Sequence, residues 1–229
     1  MNNPAAPRIT SLFLTFACLF VALLITSNII AVKIIEVGGR ILPAAIVLFP
    51  LTYILGDVLT EVYGFHMARR VIWLGFLANA VAVLGFWTGG LLPAAPFWQG
   101  QAPYDAILGS TPRLLAASFV GYLVGEFTNS AVLSRMKIAT KGRWLWTRTI
   151  GSTLVGQGVD SAAFITIAFI GSMAGSDLVE LLVTQWLVKV AYEALATPLT
   201  YAVVRYVKRK EGIDAYDRQV SLNPFAFGR

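Results

Sequence analysis

The chain has 229 residues, of which 57% are hydrophobic and only 13% are charged, and its mean hydropathy is +0.70. Charged residues make up about a quarter of a typical soluble domain, so this composition excludes an ordinary water-soluble protein and favours the lipid bilayer as solvent. The net charge of +6 does not indicate nucleic-acid binding, because the cations gather in short stretches between apolar runs.

Six apolar stretches follow one another along the chain, each near or above the roughly 20 residues that cross the hydrocarbon core. They predict an all-α integral membrane protein with spans at roughly 9–32, 41–64, 71–92, 114–134, 149–171 and 178–205. Short connections without a low-complexity linker predict a single transmembrane domain over residues 1–229, with a polar tail over 206–229. The first stretch is too long for a signal-peptide core, so we expect it to remain as a helix.

Basic residues are concentrated on one side of this six-span arrangement. The opposite side has only Lys33, Arg40 and Arg113. Because cytoplasmic loops carry an excess of lysine and arginine, both termini and the second and fourth loops are predicted to be cytoplasmic. Twelve cations near the span ends fall on the predicted cytoplasmic side: Arg8, Arg69, Arg70, Arg135, Lys137, Lys141, Arg143, Arg148, Arg205, Lys208, Arg209 and Lys210.

The second span combines prolines with two carboxylates. Pro43 and Pro50 predict a helix that is broken near Pro50. Asp57 and Glu61 follow at a spacing of four, which places them on one helical face. Carboxylates at membrane depth are costly and mark substrate or ion paths, although Glu61 is near enough to the cytoplasm to pair with an arginine instead.

The fourth and fifth spans also carry polar side chains at membrane depth. Tyr122, Glu126 and Asn129 lie along one stripe of the fourth span. Gln157 and Asp160 lie three residues apart in the fifth span, beside glycines that permit close approach of a backbone or a ligand. Each of these groups predicts either a polar path or a structural contact between helices.

The last span contains the one cation that we place near the middle of the bilayer, Lys189. It needs a carboxylate partner, and the sequence does not show whether that partner is Glu193, Asp160 or Asp57. Trp186, one turn before Lys189, is either a packing residue or a surface on which a flat ligand stacks. Asn28, near the outer end of the first span, is a further candidate for a polar contact.

Metal, disulfide and nucleotide chemistry receive no support from the sequence. Cys18 is the only cysteine and His66 the only histidine, so neither a disulfide nor a cysteine and histidine metal site can form within the chain. No phosphate-binding GxxxxGK[ST] string is present, so any ATP would be hydrolysed by a partner. We predict no cofactor and no metal.

Four strings carry a resemblance to a known family: FPLTYILGDVLTEVYG with ARRVIWLGF after it, then GSTLVGQGVDS, and finally KVAYEALATPLTYAVV. In this order they resemble the queuosine precursor transporters, a vitamin-uptake transporter family. The resemblance implies import of 7-cyano-7-deazaguanine or 7-aminomethyl-7-deazaguanine across the bacterial inner membrane. It also implies that the family's acidic, polar and lysine motifs correspond to Asp57 with Glu61, Gln157 with Asp160, and Lys189.

The residues and the resemblance together define a predicted site for a flat base. The predicted substrate-binding residues are Asn28, Asp57, Tyr122, Glu126, Asn129, Gln157, Asp160, Trp186 and Lys189, and Asp57, Glu61 and Glu193 are candidates for coupling to protons or another ion. One alternative is the substrate-binding subunit of an energy-coupling complex, and homo-oligomers are equally open. An intramembrane aspartyl protease is disfavoured, because no Gly-x-Gly precedes Asp57 or Asp160.

Overall fold

The computed structural model describes residues 9–37, 40–109, 112–171, 174–218 and 220–226. Arg8 and the last residues of the predicted tail lie outside the described residues. The helical class predicted from composition is confirmed. The described elements are the strands β1 (Ile34–Val37) and β2 (Arg40–Pro43) and the helices α1 (Ser11–Ile30), α2 (Phe49–Val58), α3 (Phe65–Leu91), α4 (Gln101–Leu108), α5 (Pro112–Ala139), α6 (Leu145–Phe169) and α7 (Gly175–Glu211).

Among the described residues, α1, α3 and α7 are long and apolar enough to cross a membrane. On α3, Leu74, Leu77, Val81 and Leu84 lie exposed at steps of three and four residues, so one face of this helix suits contact with lipid. Helices α5 and α6 are of similar length but carry more polar side chains. The count of six spans and the side of the termini therefore stay predictions.

The predicted span over 41–64 differs most from the structure. Its first residues belong to the antiparallel hairpin of β1 and β2 and to a 3-10 turn over Ala44–Val47. Helix α2 begins only at Phe49, with Pro50 in its first turn. A proline at that position costs no helical hydrogen bond, because the first N–H groups of a helix have no partner within it. Pro50 thus lies at the start of the helix that carries Asp57. The predicted interruption of this span near Pro50 is confirmed, although a hairpin strand and a 3-10 turn precede it instead of a helix.

A second irregularity lies at the other end of this segment. Helix α2 continues into a π-helical turn over Leu59–Tyr63, which stops at Gly64. Ten helical residues and five in the turn extend over roughly 22 Å, less than the roughly 30 Å of a bilayer core. Gly64 has φ +84°, and a Cβ there would lie 2.7 Å from Oδ1 of Asp217. Glycine therefore allows α3 to begin at once in a new direction.

One apolar cluster joins α1, α2, the π turn, α3 and α7. Phe20 and Leu24 of α1 pack with Val58, Val71 and Val204 of the other helices, and all five are buried. In lipid such side chains stabilise the fold through van der Waals contacts, because lipid tails are as apolar as the side chains themselves. This core fixes α2 and the π turn against α7 and so sets the position of Asp57 and Glu61.

Helices α5 and α6 pack closely through glycines. A Cβ at Gly156 of α6 would lie 2.6 Å from Cβ of Asn129, and one at Gly125 of α5 would lie 2.6 Å from Cβ of Asp160. Small residues allow two helix backbones to approach in this way. The same approach brings the polar residues of the two helices together.

The chain after α7 folds back onto the protein. Gly212 ends the helix in a left-handed conformation with φ +66°. Asp217 then accepts hydrogen bonds from the backbone N–H of Phe65, at 2.8 Å, and from the hydroxyl of Ser134, at 2.6 Å. The indole N–H of Trp73 donates to the carbonyl oxygen of Pro224 at 2.9 Å. The described part of the predicted tail therefore belongs to the fold and covers the start of α3 and the end of α5.

Candidate functional site

Charged and polar side chains form two largely buried clusters, both of which involve the segment of α2 and the π turn. The basic cluster consists of Glu61, Lys137, Arg148, Lys208 and Asp214. The acidic cluster consists of Asp57, Glu126, Asn129 and Glu193, together with Gln157, which is buried on α6 next to the glycine that packs against Asn129. The ion pair of Asp160 with Lys189 lies beside the acidic cluster.

Glu61 is the centre of the basic cluster and is fully buried. Arg148 of α6 binds it with two nitrogens, Nη2 to Oε1 at 2.9 Å and Nε to Oε2 at 3.2 Å. Lys208 of α7 donates to Oε1 at 2.7 Å, and Nζ of Lys137 of α5 lies 3.6 Å from the same oxygen. A two-point arginine contact of this kind is among the stronger ion-pair geometries in proteins. Three cations therefore satisfy Glu61.

Asp214 extends the basic cluster into the chain after α7. Lys137 donates to its Oδ1 at 2.5 Å, and Nζ of Lys208 lies 2.8 Å from the same atom. Burial alone would raise the pKa of Asp214, but the hydrogen bonds from Lys137 and Lys208 outweigh burial and hold the pKa below its ordinary value. The basic cluster thus joins the π turn, α5, α6, α7 and the returning tail.

The acidic cluster is much less satisfied. The side-chain amide of Asn129 donates to Oδ1 of Asp57 at 3.0 Å, and both residues are buried. Oδ2 of Asp57 and the amide oxygen of Asn129 have no hydrogen-bond partner within the described part of the chain. A buried polar atom without a partner costs roughly 1–3 kcal/mol, more when it is charged. A bound ligand, a bound proton or a structural change would therefore be needed to give these oxygens a hydrogen-bond donor.

Gln157 and Glu193 add further acceptors. Gln157 follows Gly156, which packs against Asn129, and its amide oxygen is buried without a partner among the described residues. Glu193 is 1% exposed, and neither of its carboxyl oxygens has a described hydrogen-bond donor. It interacts electrostatically with Asp57. All five of these atoms on four helices are acceptor oxygens, so the acidic cluster lacks donors.

Glu126 connects the acidic cluster to the ion pair beside it. Its carboxylate is buried and lies near Gly56 of α2, where an added Cβ would be 3.4 Å from Oε2. It interacts electrostatically with Asp57, Asp160, Lys189 and Glu193. Glu126 therefore lies within the field of three other carboxylates and one ammonium group.

The structure identifies the partner of Lys189 among the three carboxylates that the sequence left open. Its ammonium group donates to Oδ2 of Asp160 and lies 3.4 Å from the hydroxyl of Ser161. Both members of the pair are 19% exposed. The pair links α6 to α7 and leaves Asp57 and Glu193 without this cation.

The remaining predicted residues lie around these clusters. The hydroxyl of Tyr122 donates to the carbonyl oxygen of Ile72 at 2.9 Å, and the indole N–H of Trp186 donates to that of Leu154 at 2.9 Å. Both rings are therefore oriented by backbone contacts between helices. Asn28 is half-buried near the end of α1, without a hydrogen bond to the acidic cluster among the described residues.

Glu61 pairs with an arginine, as its sequence position suggests, but that arginine is Arg148 and not the nearby Arg69. Arg69, two turns away, instead donates to the carbonyl oxygens of Ser221, at 3.2 Å, and Asn223, at 2.8 Å, in the returning tail. The actual partners Lys137, Arg148 and Lys208 appear in the sequence only as cations of the basic loops and helix ends. Arg148 directly precedes the predicted fifth span, which places it at a span end but does not identify its partner.

Comparison with known proteins extends these observations. Residues 43–203 match the family model described as "Putative vitamin uptake transporter". A "Probable queuosine precursor transporter" of Bacillus subtilis (strain 168) is 28% identical over 190 residues, which cover 82% of each chain. A "Queuosine precursor transporter" of Escherichia coli (strain K12) is 30% identical over 121 residues, 53% of this chain and 52% of that one. No solved structure matches.

The family model covers well over half of the chain, including α2, α5, α6 and most of α7. Both buried clusters have most of their residues within this range. The matched family and both named relatives are transporters, and a polar interior formed between helices is typical of such proteins. The chain belongs to the vitamin uptake transporter family.

Proposed function

We propose that this protein imports a 7-deazaguanine precursor of queuosine, the cyano or the aminomethyl base, across the bacterial inner membrane. The observation that carries this proposal is the acidic cluster, whose buried acceptor oxygens come from α2, α5, α6 and α7. Two relatives named as queuosine precursor transporters support the choice of substrate.

The acidic cluster matches the hydrogen-bonding edge of such a base. A guanine-like edge presents adjacent N–H donors, and Oδ2 of Asp57 and the amide oxygens of Asn129 and Gln157 are acceptors without partners in the described chain. The amide N–H of Asn129 is engaged by Asp57, which leaves the amide oxygen of Asn129 for the ligand. A base that donates two or three hydrogen bonds would remove the cost of leaving these oxygens unpaired.

The residues around the acidic cluster have supporting roles in this proposal. Tyr122 and Trp186 are the proposed stacking residues, since their rings are held by hydrogen bonds to backbone oxygens. Lys189, held by Asp160, is the proposed donor to the carbonyl of the base. Asn28 follows Ser27, whose buried hydroxyl has no described partner, and is proposed to line the entry side.

The direction of transport in this proposal follows from the positions of the cations. Lys137, Arg148 and Lys208 meet around Glu61 at one end of the helices, and the basic residues of the predicted cytoplasmic loops belong to the same end. The positive-inside bias supports a cytoplasmic position for this end. Import would then run from the end that holds Asn28 towards the basic cluster.

Cells that cannot make the precursor provide the direct test. With the labelled base in the medium, the wild-type protein should restore queuosine in transfer RNA, whereas Asp57→Asn and Gln157→Leu should reduce uptake at least tenfold. Glu180→Gln, on an exposed part of α7, is the matched control and should transport normally. Binding of the base to purified protein identifies the site independently of metabolism. Unchanged affinity in both site variants would contradict the proposed recognition.

A further inference from the structure

We propose that Asp57 and Glu193 form a proton-binding site that couples import to the proton gradient. This inference rests on the proposed function but concerns a different ligand. Asp57 of α2 and Glu193 of α7 are each 1% exposed and interact electrostatically. One oxygen of Asp57 and both oxygens of Glu193 have no described hydrogen-bond partner.

The charges around this pair do not compensate it. Lys189 is the one cation that acts on the acidic cluster within the described chain, and Asp160 already binds it. The cations around Glu61 are occupied by Glu61 and Asp214. Apart from the pair itself, the titratable and charged groups around it are Tyr53 of α2, Glu61 of the π turn, Glu126 of α5, Asp160 of α6 and Lys189 of α7.

Two buried carboxylates that interact electrostatically and have no cation of their own do not both remain ionised, because burial and mutual repulsion oppose the second charge. A proton on one carboxyl removes that charge. Asn129 donates a hydrogen bond to Asp57, which faces the proposed base. Asp57 is therefore the ionised member, which accepts hydrogen bonds from the base, and Glu193 is the member that carries the proton. The proton enters from outside as H⁺ and leaves to the cytoplasm as H⁺, with no other change in either carboxyl group.

Helix α7 has an irregular stretch next to Glu193. Pro198 lies inside the helix and cannot donate to the carbonyl of Ala194. The hydroxyl of Thr197 donates to the backbone carbonyl of Glu193 at 2.8 Å, a contact that tends to bend helices. Bending at this point would move the carboxyl of Glu193 relative to Asp57. The proton would therefore be gained or lost next to a stretch of α7 that is able to bend.

Infrared difference spectroscopy of the wild-type protein in liposomes tests the proton without any substrate. A carbonyl band from a protonated carboxyl should be present near neutral pH and shift in deuterated water. It should disappear or shift in Glu193→Gln and in Asp57→Asn, and persist in Glu180→Gln. Absence of a protonated-carboxyl band from the wild-type protein would overturn the proposal.

Accumulation of 7-cyano-7-deazaguanine, a neutral base, tests the coupling. With the membrane potential clamped at zero and the interior one pH unit more alkaline, one proton per base supports about tenfold accumulation. Wild type and Glu180→Gln should approach this ratio, whereas Glu193→Gln should bind the base and equilibrate it at a ratio of about one. Equilibration without accumulation by the wild-type protein would overturn proton coupling but leave the base site intact. Failure of the base to bind would instead contradict the proposed function.

Discussion

Replacement of Glu61 by glutamine should strongly destabilise this protein. The change leaves Lys137, Arg148 and Lys208 with Asp214 as their one remaining anionic partner in the basic cluster. At an effective dielectric constant of about 20, the contact of Arg148 with Glu61 at 2.9 Å has a Coulomb energy of roughly 6 kcal/mol. Desolvation of both groups reduces the net value, and breaking a buried pair by removal of one partner typically costs about 3–5 kcal/mol.

Thermal unfolding in detergent provides the assay. For a protein of about this size, 1 kcal/mol corresponds to roughly 2–4 °C in melting temperature, so Glu61→Gln should melt on the order of 10 °C below wild type. A double-mutant cycle with Arg148→Gln should show strong coupling, because each single change already breaks the contact. Glu180→Gln controls for the loss of one exposed carboxylate on α7 and should melt within about 1 °C of wild type. A melting temperature for Glu61→Gln within 2 °C of the wild-type value would show that the cations do not depend on Glu61 and would refute this reasoning.

Three further predictions concern packing and the returning tail. Gly156→Ala should lower the free energy of unfolding by about 1–3 kcal/mol, because the added Cβ would lie 2.9 Å from the backbone of Asn129. In Gly85→Ala the added Cβ has no atom within 4 Å, so this control should be neutral or slightly stabilising in the same melting assay. Asp217→Asn should cost about 2 kcal/mol and speed proteolysis of the tail, since it weakens two charge-assisted hydrogen bonds. The pKa of Asp214 lies below its ordinary value in the folded protein. Its contribution to stability is therefore present above the unfolded pKa of about 3.9 and is lost as pH falls through the folded pKa. Hydrogen exchange of the tail should rise over that pH range in the wild-type protein and be nearly flat in Asp214→Asn.

Hydropathy predicts the positions of five long helices, because a run of about 20 apolar residues indicates a helix wherever the solvent is lipid. It fails before Phe49, where apolar residues form β2 and a 3-10 turn. Mean hydropathy does not distinguish a strand from a helix. A more specific signal was present: Gly38 and Gly39 stand between the β-branched and aliphatic residues of β1 and β2, the pattern of a hairpin.

The types of residue in the site could be predicted, but their pairing could not. Lys189 has a carboxylate four residues later on its own helix, Glu193, yet it binds Asp160 on α6. The choice depends on the close packing of α5 and α6, which brings Asp160 and Asn129 inward against glycines of the facing helix. Sequence spacing determines which residues share a helical face, whereas the distance between helices depends on small residues whose facing partners lie elsewhere in the chain.

The two acids that are four residues apart in the segment of α2 and the π turn have opposite environments. Glu61 has three cations within 3.6 Å, while Asp57 has one amide donor and one oxygen without a described partner. A carboxylate held by several cations resists movement, because a change of position breaks the pairs that offset its burial. Asp57 has no such constraint and gains from any donor that reaches it. Stability at the basic end is therefore expected to depend on Glu61, whereas substrate recognition and proton exchange are expected to depend on Asp57.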